Sequence, residues 1–598
     1  MSVEVNQRRL LVLYGSQTGC AQETSERIAR EAIRRRFVTR VLPMDAYDVL
    51  ALPLEPLVVF VASTTGQGDL PDNMQKFWRF LLRRSLRADS LSAMRAAVFG
   101  LGDSSYSRFN FAAKKLFNRL KMLGAQLILP RGDGDDQHPL GLDGALDPWL
   151  DQLWTQVDRL YPLQPGQKPI TGLLPPLYEY HQSSEPLAVK TVVYDPALPC
   201  TPSNAFAAPI VELRRLTAAD WQQNVLHIEL SLEGSSLSYQ PGDVVAMAPE
   251  NPEEQVEAFA ARVGLDLSAH LLSLTARTES DDRWAHVPCP IAIKDFLTRY
   301  MDICGTPKRY FFEVIAEFTE SEIEQEKLRE FSSAEGQADL RLYANSERRT
   351  YIEVLDDFRH VKLPLFYLLD LVPPIQPRYY SIASSLMAHP KQLHITVALV
   401  QYTTPLKRER VGLCSRWLAN KQVGDRIHVW TKPGTFAFPK DPAEPVILVG
   451  PGTGVAPFRS YLQERYRLFQ SSPDSVGPTA LFFGCRHKEK DYLYGNEWKE
   501  YVERSFLPDW FSPAFSRDQP SKVYVQHRIL ERATLLYDWI SNRNARIFLA
   551  GSSLNMPADV RDAFRTVLMQ EGSMSEPEAD LYLRQLDRAE RYQIETWA

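Results

Sequence analysis

Short apolar runs followed by glycine- and hydroxyl-rich loops recur along this chain. Residues 10–14, LLVLY, have charge before them and glycine after, which predicts a buried parallel strand. A helical pattern follows over 21–36, and the apolar runs at 58–62 and 96–101 predict further strands. From 161 to 209 prolines recur and periodicity is lost, as in an extended linker or hinge. Strands are predicted at 209–216, 225–232 and 244–248. Helix-spaced apolar positions then dominate to about 371, at 253–264, 292–300, 308–318 and 350–358, as expected of a helical insert in a β-domain. Alternation over 393–402 predicts a strand, and a short helix runs through 419. Apolar runs at 446–449, 480–484, 523–526 and 547–551 predict a second open α/β sheet, with a helix from about 458. The expected domains are 1–160, a linker at 161–208, 209–440 with an insert at about 252–371, and 441–598.

Composition narrows this picture. A chain of 598 residues exceeds one hydrophobic core. Its net charge of −6 argues against nucleic acid as a partner. The first 160 residues hold 21 Lys/Arg against 18 Asp/Glu and offer no clear electrostatic address; an acidic turn at Asp133–Asp136 is one option. The six cysteines lie far apart without CxxC spacing, so no metal site is expected. No signal region or membrane-length apolar run is seen, and the expectation is a cytoplasmic protein without a membrane anchor.

The candidate chemistry lies in the loops. Ser16, Gln17, Thr18 and Gly19, leading into Cys20 and Ala21, place hydroxyls and backbone N–H groups at a helix start, which suits a phosphomonoester; a plain strand–turn–helix connection is the alternative. Ser63, Thr64, Thr65 and Gly66 follow the next strand. Leu101, Gly102, Asp103, Ser104, Ser105, Tyr106, Ser107, Arg108, Phe109 and Asn110 follow the third. In a doubly wound sheet such loops converge on one crevice, where backbone can approach a flat ring and Tyr106 can cover it. Arg378, Tyr379, Tyr380 and Ser381 combine a pyrophosphate clamp, aromatic faces and a hydroxyl. Gly412, Leu413, Cys414 and Ser415 open a helix, a second pyrophosphate-type site. Gly452, Thr453 and Gly454 form a dinucleotide-type loop. Ser516, Arg517 and Lys522, with Val523, Tyr524, Val525 and Gln526, supply hydroxyl and cations where an NAD site commonly offers a carboxylate, which favours NADPH.

In this order the motifs resemble the diflavin reductases. The resemblance implies an α/β multidomain protein: a flavodoxin-like FMN domain, a β-barrel FAD domain with a helical connecting insert, and a Rossmann-like NADP domain of the ferredoxin-NADP-reductase type. It implies FMN, FAD and NADPH as cofactors. It adds Asp136 near FMN, Arg348 as a FAD contact, Asp559 as a nucleotide contact and Trp597 as the aromatic lid on FAD; solvated or helix-dipole roles are the alternatives for Asp136 and Asp559. Arg378 would bind the pyrophosphate, Tyr380 would stack, and Ser381, with Trp597, would serve hydride transfer at the flavin. Two departures stand out: Ala550 replaces a common Cys, and Glu595 replaces an Asp. Within the family the chain is similar to the branch serving cytosolic iron–sulfur assembly, which implies an anamorsin-type iron–sulfur protein as electron acceptor. A soluble cytochrome P450-reductase-like or methionine-synthase-reductase-like enzyme, or a flavin-bound scaffold, are the rivals.

Overall fold

The computed structural model describes residues 8–66, 68–106, 108–185, 194–277, 283–508 and 510–597. The chain divides into two compact units. The first holds Met1–Lys190, Asn251–Gln376 and Thr403–Arg408; the second holds Thr191–Glu250, Pro377–Tyr402 and Glu409–Ala598.

The first unit begins with a doubly wound domain. Its elements are β1 (Arg9–Gly15), α1 (Cys20–Arg34), β2 (Val38–Pro43), β3 (Leu57–Ser63), α2 (Gln75–Leu81), β4 (Arg95–Gly102), α3 (Phe111–Met122), β5 (Gln126–Leu127), β6 (Gly132–Asp135) and α4 (Asp143–Leu160). The parallel sheet runs β2-β1-β3-β4-β5, with β6 also on β4, so the fifth strand is split in two. Strands β1, β3 and β4 are buried on both faces, which is why they read as continuous apolar runs. Leu10, Val12 and Tyr14 face α1 and α4, while Leu11 and Leu13 face α2 and α3.

The rest of this unit is mainly short helices around Trp284, Phe296, Phe311, Phe312 and Tyr351. The helix Tyr351–Asp357 starts at a capping box of Thr350 and Glu353, so the pair Arg348-Arg349 precedes the helix and does not open it. The segment expected as linker is partly structured. Tyr178–Ser183 pairs with His270–Ala276, and both Asp370 carboxylate oxygens accept from Leu177 N.

The second unit contains two large sheets. One is antiparallel and six-stranded, in the order Arg378–Ser381, Val244–Met247, Arg426–Lys432, Phe206–Arg215, Val225–Ser231, Gln392–Ala398. Its end strands are joined only by the bridge Ile382–Ile395, so a closed barrel is not formed by continuous ladders. The strand expected over 393–402 ends at Ala398; Leu399 N turns to Asn224 O, and Gln401–Thr403 pairs elsewhere. The other sheet is parallel, in the order Phe511–Phe515, Thr479–Cys485, Val446–Val449, Arg546–Ser552, Tyr592–Trp597. The strand expected at 523–526 is a helix instead, Val525–Glu531, with Tyr524 as its N-cap. The alternation Val-Tyr-Val misleads because Val525 and Ile529 are buried one helical turn apart.

Candidate functional site

Three loops leave the carboxyl ends of adjacent strands β1, β3 and β4, the position at which such sheets bind ligands. Gly19 adopts φ 95° at the N-cap of α1, and its N–H donates to Ser16 Oγ at 3.0 Å. Ser16 N donates to Asn73 Oδ1 at 2.8 Å, and Gln17 exchanges two hydrogen bonds with Asp72. Thr18 is exposed, and its hydroxyl meets Cys20 Sγ at 3.9 Å; Ala21 is buried at the start of α1. Ser63 Oγ donates to Gly15 O, and Thr64 N to Leu101 O, which ties the first loop to the second and the second to the third. Thr65 and Asp69 close a turn containing Gly66 at φ 49°.

The third loop is shaped by Asp103, whose carboxylate accepts from Ser105 N, Ser105 Oγ and Gln137 Nε2. Tyr106, Arg108 and Phe109 are half-buried along it, whereas Ser107 lies outside the described residues. Asn110 adopts φ 53° and is fully buried; its Oδ1 has no partner although its Nδ2 donates to Gly134 O. A Cβ on Gly102 would stand 2.7 Å from that Oδ1, so only glycine lets the two segments approach. Asp136 holds the loop by its backbone N–H on Gly102 O, and its side chain is exposed. The carboxylate that engages the loop is Asp135, which accepts from Ser104 N at 2.9 Å. From sequence Asp135 was read only as part of the acidic turn at Asp133–Asp136, and Asn73 and Asp72 were not singled out, since no motif marks them. Hydroxyls, N–H groups at a helix start and small residues fit a flavin phosphate and ring.

In the second unit, Arg378, Tyr379, Tyr380 and Ser381 pair residue by residue with Met247, Ala246, Val245 and Val244. Tyr379 is 42% exposed, with the Lys432 ammonium 4.1 Å over its ring. Tyr380 lies beside Cys414, and burial pushes the Cys414 thiol up to about 11. Gly412 caps the short helix Leu413–Ala419, and Ser415 Oγ accepts from Val400 N at 3.1 Å. Arg348, at φ 47°, belongs to the first unit.

Ser381 Oγ donates to Glu595 Oε1 at 3.1 Å, and Thr435 Oγ1 donates to Glu595 Oε2 at 2.6 Å. Burial raises this carboxyl above its ordinary range, against the two hydrogen bonds. Glu595 is in register with Ala550, and Trp597, 37% exposed, with Ser552. Glu595, which stands where the resemblance has Asp, bonds Ser381, and Thr435 is a partner that nothing in the sequence flagged.

The second parallel sheet positions the nucleotide residues. Gly452, at φ 58°, and Thr453 form a turn before the helix Ala456–Ser471. Ser516 N donates to Cys485 O and Arg517 N to Arg486 O, both at 2.9 Å. Lys522 and Tyr524 are exposed, Val523 is half-buried, Val525 packs inward, and Gln526 Nε2 donates to Asp559 Oδ2 at 3.2 Å. A hydroxyl and cations after one strand of this sheet, with a glycine turn after another, fit a phosphorylated dinucleotide.

One further polar cluster lies in this unit. His227 Nε2 is 3.0 Å from Glu229 Oε1, and His394 Nε2 is 3.6 Å from Glu229 Oε2. Although this is a metal-ligand composition, the Arg459 guanidinium lies 3.3 Å from His394 Nδ1 and Tyr494 OH lies 3.0 Å from His227 Nδ1. Burial, then Arg459, pushes His227 down to about 3, and the same two causes lower His394.

This two-sheet reductase unit joined to a flavodoxin-type domain and a helical insert defines a class, the two-flavin reductases. Family models match in the same order: Flavodoxin over 12–149, FAD binding domain over 198–417 and Oxidoreductase NAD-binding domain over 448–562. The chain is 48% identical to NADPH-dependent diflavin oxidoreductase 1 of Danio rerio, over 98% of this chain and 99% of the relative. It is 46% identical to the Bos taurus protein of the same name (99% of both chains) and 41% to that of Arabidopsis thaliana (99% of both). The chain belongs to the NADPH-dependent diflavin oxidoreductase family. It is an NADPH-dependent oxidoreductase that binds FMN in the flavodoxin domain, FAD in the FAD-binding domain and NADPH in the NAD-binding domain, and it passes electrons to a protein acceptor. Among the described residues no helix is long and apolar enough to cross a membrane.

Proposed function

We infer that the acceptor is an anamorsin-type iron–sulfur protein and that the chain serves iron–sulfur cluster assembly in the cytosol. What supports this reading is full-length similarity to relatives of one name at 35–48% identity. Residues 16–21, 63–66, 101–110 and 136 hold FMN, with the phosphate at Ser16 and Thr18 and Tyr106 on the ring. Residues 378–381 and 412–415 hold FAD, with Arg378 on the pyrophosphate and Tyr380 against the ring. Thr453, Ser516, Arg517, residues 522–526 and Asp559 hold NADPH, with Ser516, Arg517 and Lys522 on the 2′-phosphate. When bound, the flavins supply hydride acceptance and one-electron delivery. Ser381 positions the reacting atoms and donates to Glu595, whose other carboxylate oxygen is held by Thr435. Trp597 covers the flavin face and gives way to nicotinamide.

Stopped-flow reduction of the purified anamorsin-type protein, compared with a cytochrome P450, tests the acceptor. Fast reduction of the iron–sulfur protein is expected; reduction of the P450 alone would overturn the assignment.

A further inference from the structure

The loops after the neighbouring strands Thr479–Cys485 and Phe511–Phe515 leave the same end of the parallel sheet and are laced together. Ser516 N and Arg517 N donate to Cys485 O and Arg486 O. Asp518 extends the lacing through its side chain. Its Oδ1 accepts from His487 Nδ1 at 2.8 Å, and its Oδ2 accepts from Lys488 N at 2.9 Å. The Lys488 N–H, and after it the His487 ring, keep the Asp518 carboxyl below its ordinary range against partial burial, so the group is charged at neutral pH. A charged carboxylate can only accept, which places the His487 proton on Nδ1.

His487 is itself a fixed post. Its backbone N–H and that of Arg486 donate to the buried Asp491 carboxylate, at 2.7 and 3.1 Å. Its ring meets Trp221 edge-on, with centroids 5.1 Å apart. The loop that carries Trp221 is held in turn, since Ala218 N donates to Lys490 O at 2.8 Å and Asp220 pairs with Lys490. An imidazole braced in this way fixes where the Asp518 carboxylate stands.

The choice of partner is the informative point. Asp518 directly follows Arg517, and Lys522 lies a few residues on; both cations are exposed. Asp518 nevertheless pairs with His487, and among the described residues no carboxylate lies in ion-pair range of Arg517 or Lys522.

A carboxylate on such a loop is the group that an NAD site offers to the ribose diol. Beside a 2′-phosphate it would repel the ligand and neutralise the cations that bind it. Resting on the assignment of the 2′-phosphate to Ser516, Arg517 and Lys522, we propose that His487 is a positioning residue for nucleotide choice. It holds the Asp518 carboxylate away from the nucleotide, which leaves Arg517 and Lys522 to the 2′-phosphate and denies NADH a partner for its diol. Selectivity then comes from an attraction kept and a competing contact withheld.

The test uses the full chain with both flavins bound. Isothermal titration calorimetry with 2′,5′-ADP and with 5′-ADP separates the phosphate contact from the diol contact, and kcat/KM for NADPH and NADH follows with ferricyanide as acceptor. His487→Ala should weaken 2′,5′-ADP about tenfold and tighten 5′-ADP about threefold, with NADPH and NADH shifting the same way in KM. His487→Asn keeps a donor near the place of Nδ1 and should stay within about twofold of the wild type. In His487→Ala/Asp518→Asn the released group carries no charge, so 2′,5′-ADP affinity should recover and the gain for 5′-ADP should shrink. Equal losses for both ligands in His487→Ala would overturn the proposal, because the ring would then only support the loop. Unchanged affinities in that variant would overturn it too, as would a 2′,5′-ADP loss that persists in the double variant. Arg517→Ala that binds 2′,5′-ADP as tightly as the wild type would instead overturn the placement of the 2′-phosphate.

Discussion

Glu595 shows how a single residue can change a shared chemistry. Burial raises its carboxyl, and the hydroxyls of Ser381 and Thr435 oppose that rise by stabilising the charged form. Removing one donor should therefore raise the carboxyl further. In Thr435→Ala, the limb of the pH–rate profile belonging to Glu595 should move to higher pH when flavin reduction by NADPH is followed in stopped flow. Glu595→Gln should slow that step by about tenfold or more, because the titratable carboxyl that Ser381 bonds is lost, and should leave flavin content intact. With Ala550 fully buried in register with Glu595, no thiol stands at that strand position to take over the role. Arg517 sits at the other end of the nucleotide site. Arg517→Ala should cut kcat/KM for NADPH by about 10- to 100-fold, the loss of one charge-assisted contact, with little change for NADH. An equal loss with both nucleotides would mean that Arg517 supports the fold and not the phosphate. Trp597→Ala should improve use of NADH, measured as kcat/KM, because less binding energy is needed to uncover the flavin.

At the level of elements, the segment after α4 is anchored by a buried acid. Asp370 accepts twice from Leu177 N, and burial pushes its carboxyl up to about 7 against the pull of that bond and of Arg283. An unfolded Asp titrates near ~4. Between about pH 4 and 7 the folded state thus holds more protons, so this group's contribution to stability falls as pH rises through that window and levels off above it. Asp370→Asn keeps an acceptor for Leu177 but cannot ionise. Its melting temperature should drop less than the wild type's from about pH 5 to 7.5. Matching slopes in differential scanning calorimetry would show that Asp370 is not the group responsible. The sequence disclosed elements where periodicity and burial agree. The strands at 10–14, 58–62 and 96–101 were legible because burial on both faces leaves an unbroken apolar run. It misled at 523–526, where three alternating residues mimic a strand and the helix is decided by Ile529 beyond them. It was silent on Phe511–Phe515, a strand with a proline in it. Motif residues with backbone roles, such as Gly19 and Gly102, could be read because glycine is constrained locally. Thr435 and Asn73 could not be read, because their roles arise from contacts across 160 and 57 positions of sequence.

For the molecule as a whole, the order of domains along the chain describes a route for electrons from nicotinamide to protein acceptor. The flavodoxin domain and the helical insert form one compact unit through charged side chains. Arg27 bridges Asp143 and Asp147, and Arg309 shares Asp147. The central claim is that FMN is the exit of this route. Its direct test is anaerobic stopped flow with NADPH and the acidic cytochrome b5 domain, comparing the complete protein with protein depleted of FMN. The account predicts that NADPH still bleaches the FAD of the depleted protein at an unchanged rate, while reduction of cytochrome b5 stops and returns when FMN is restored. Cytochrome b5 reduction that continues at the full rate without FMN would contradict it.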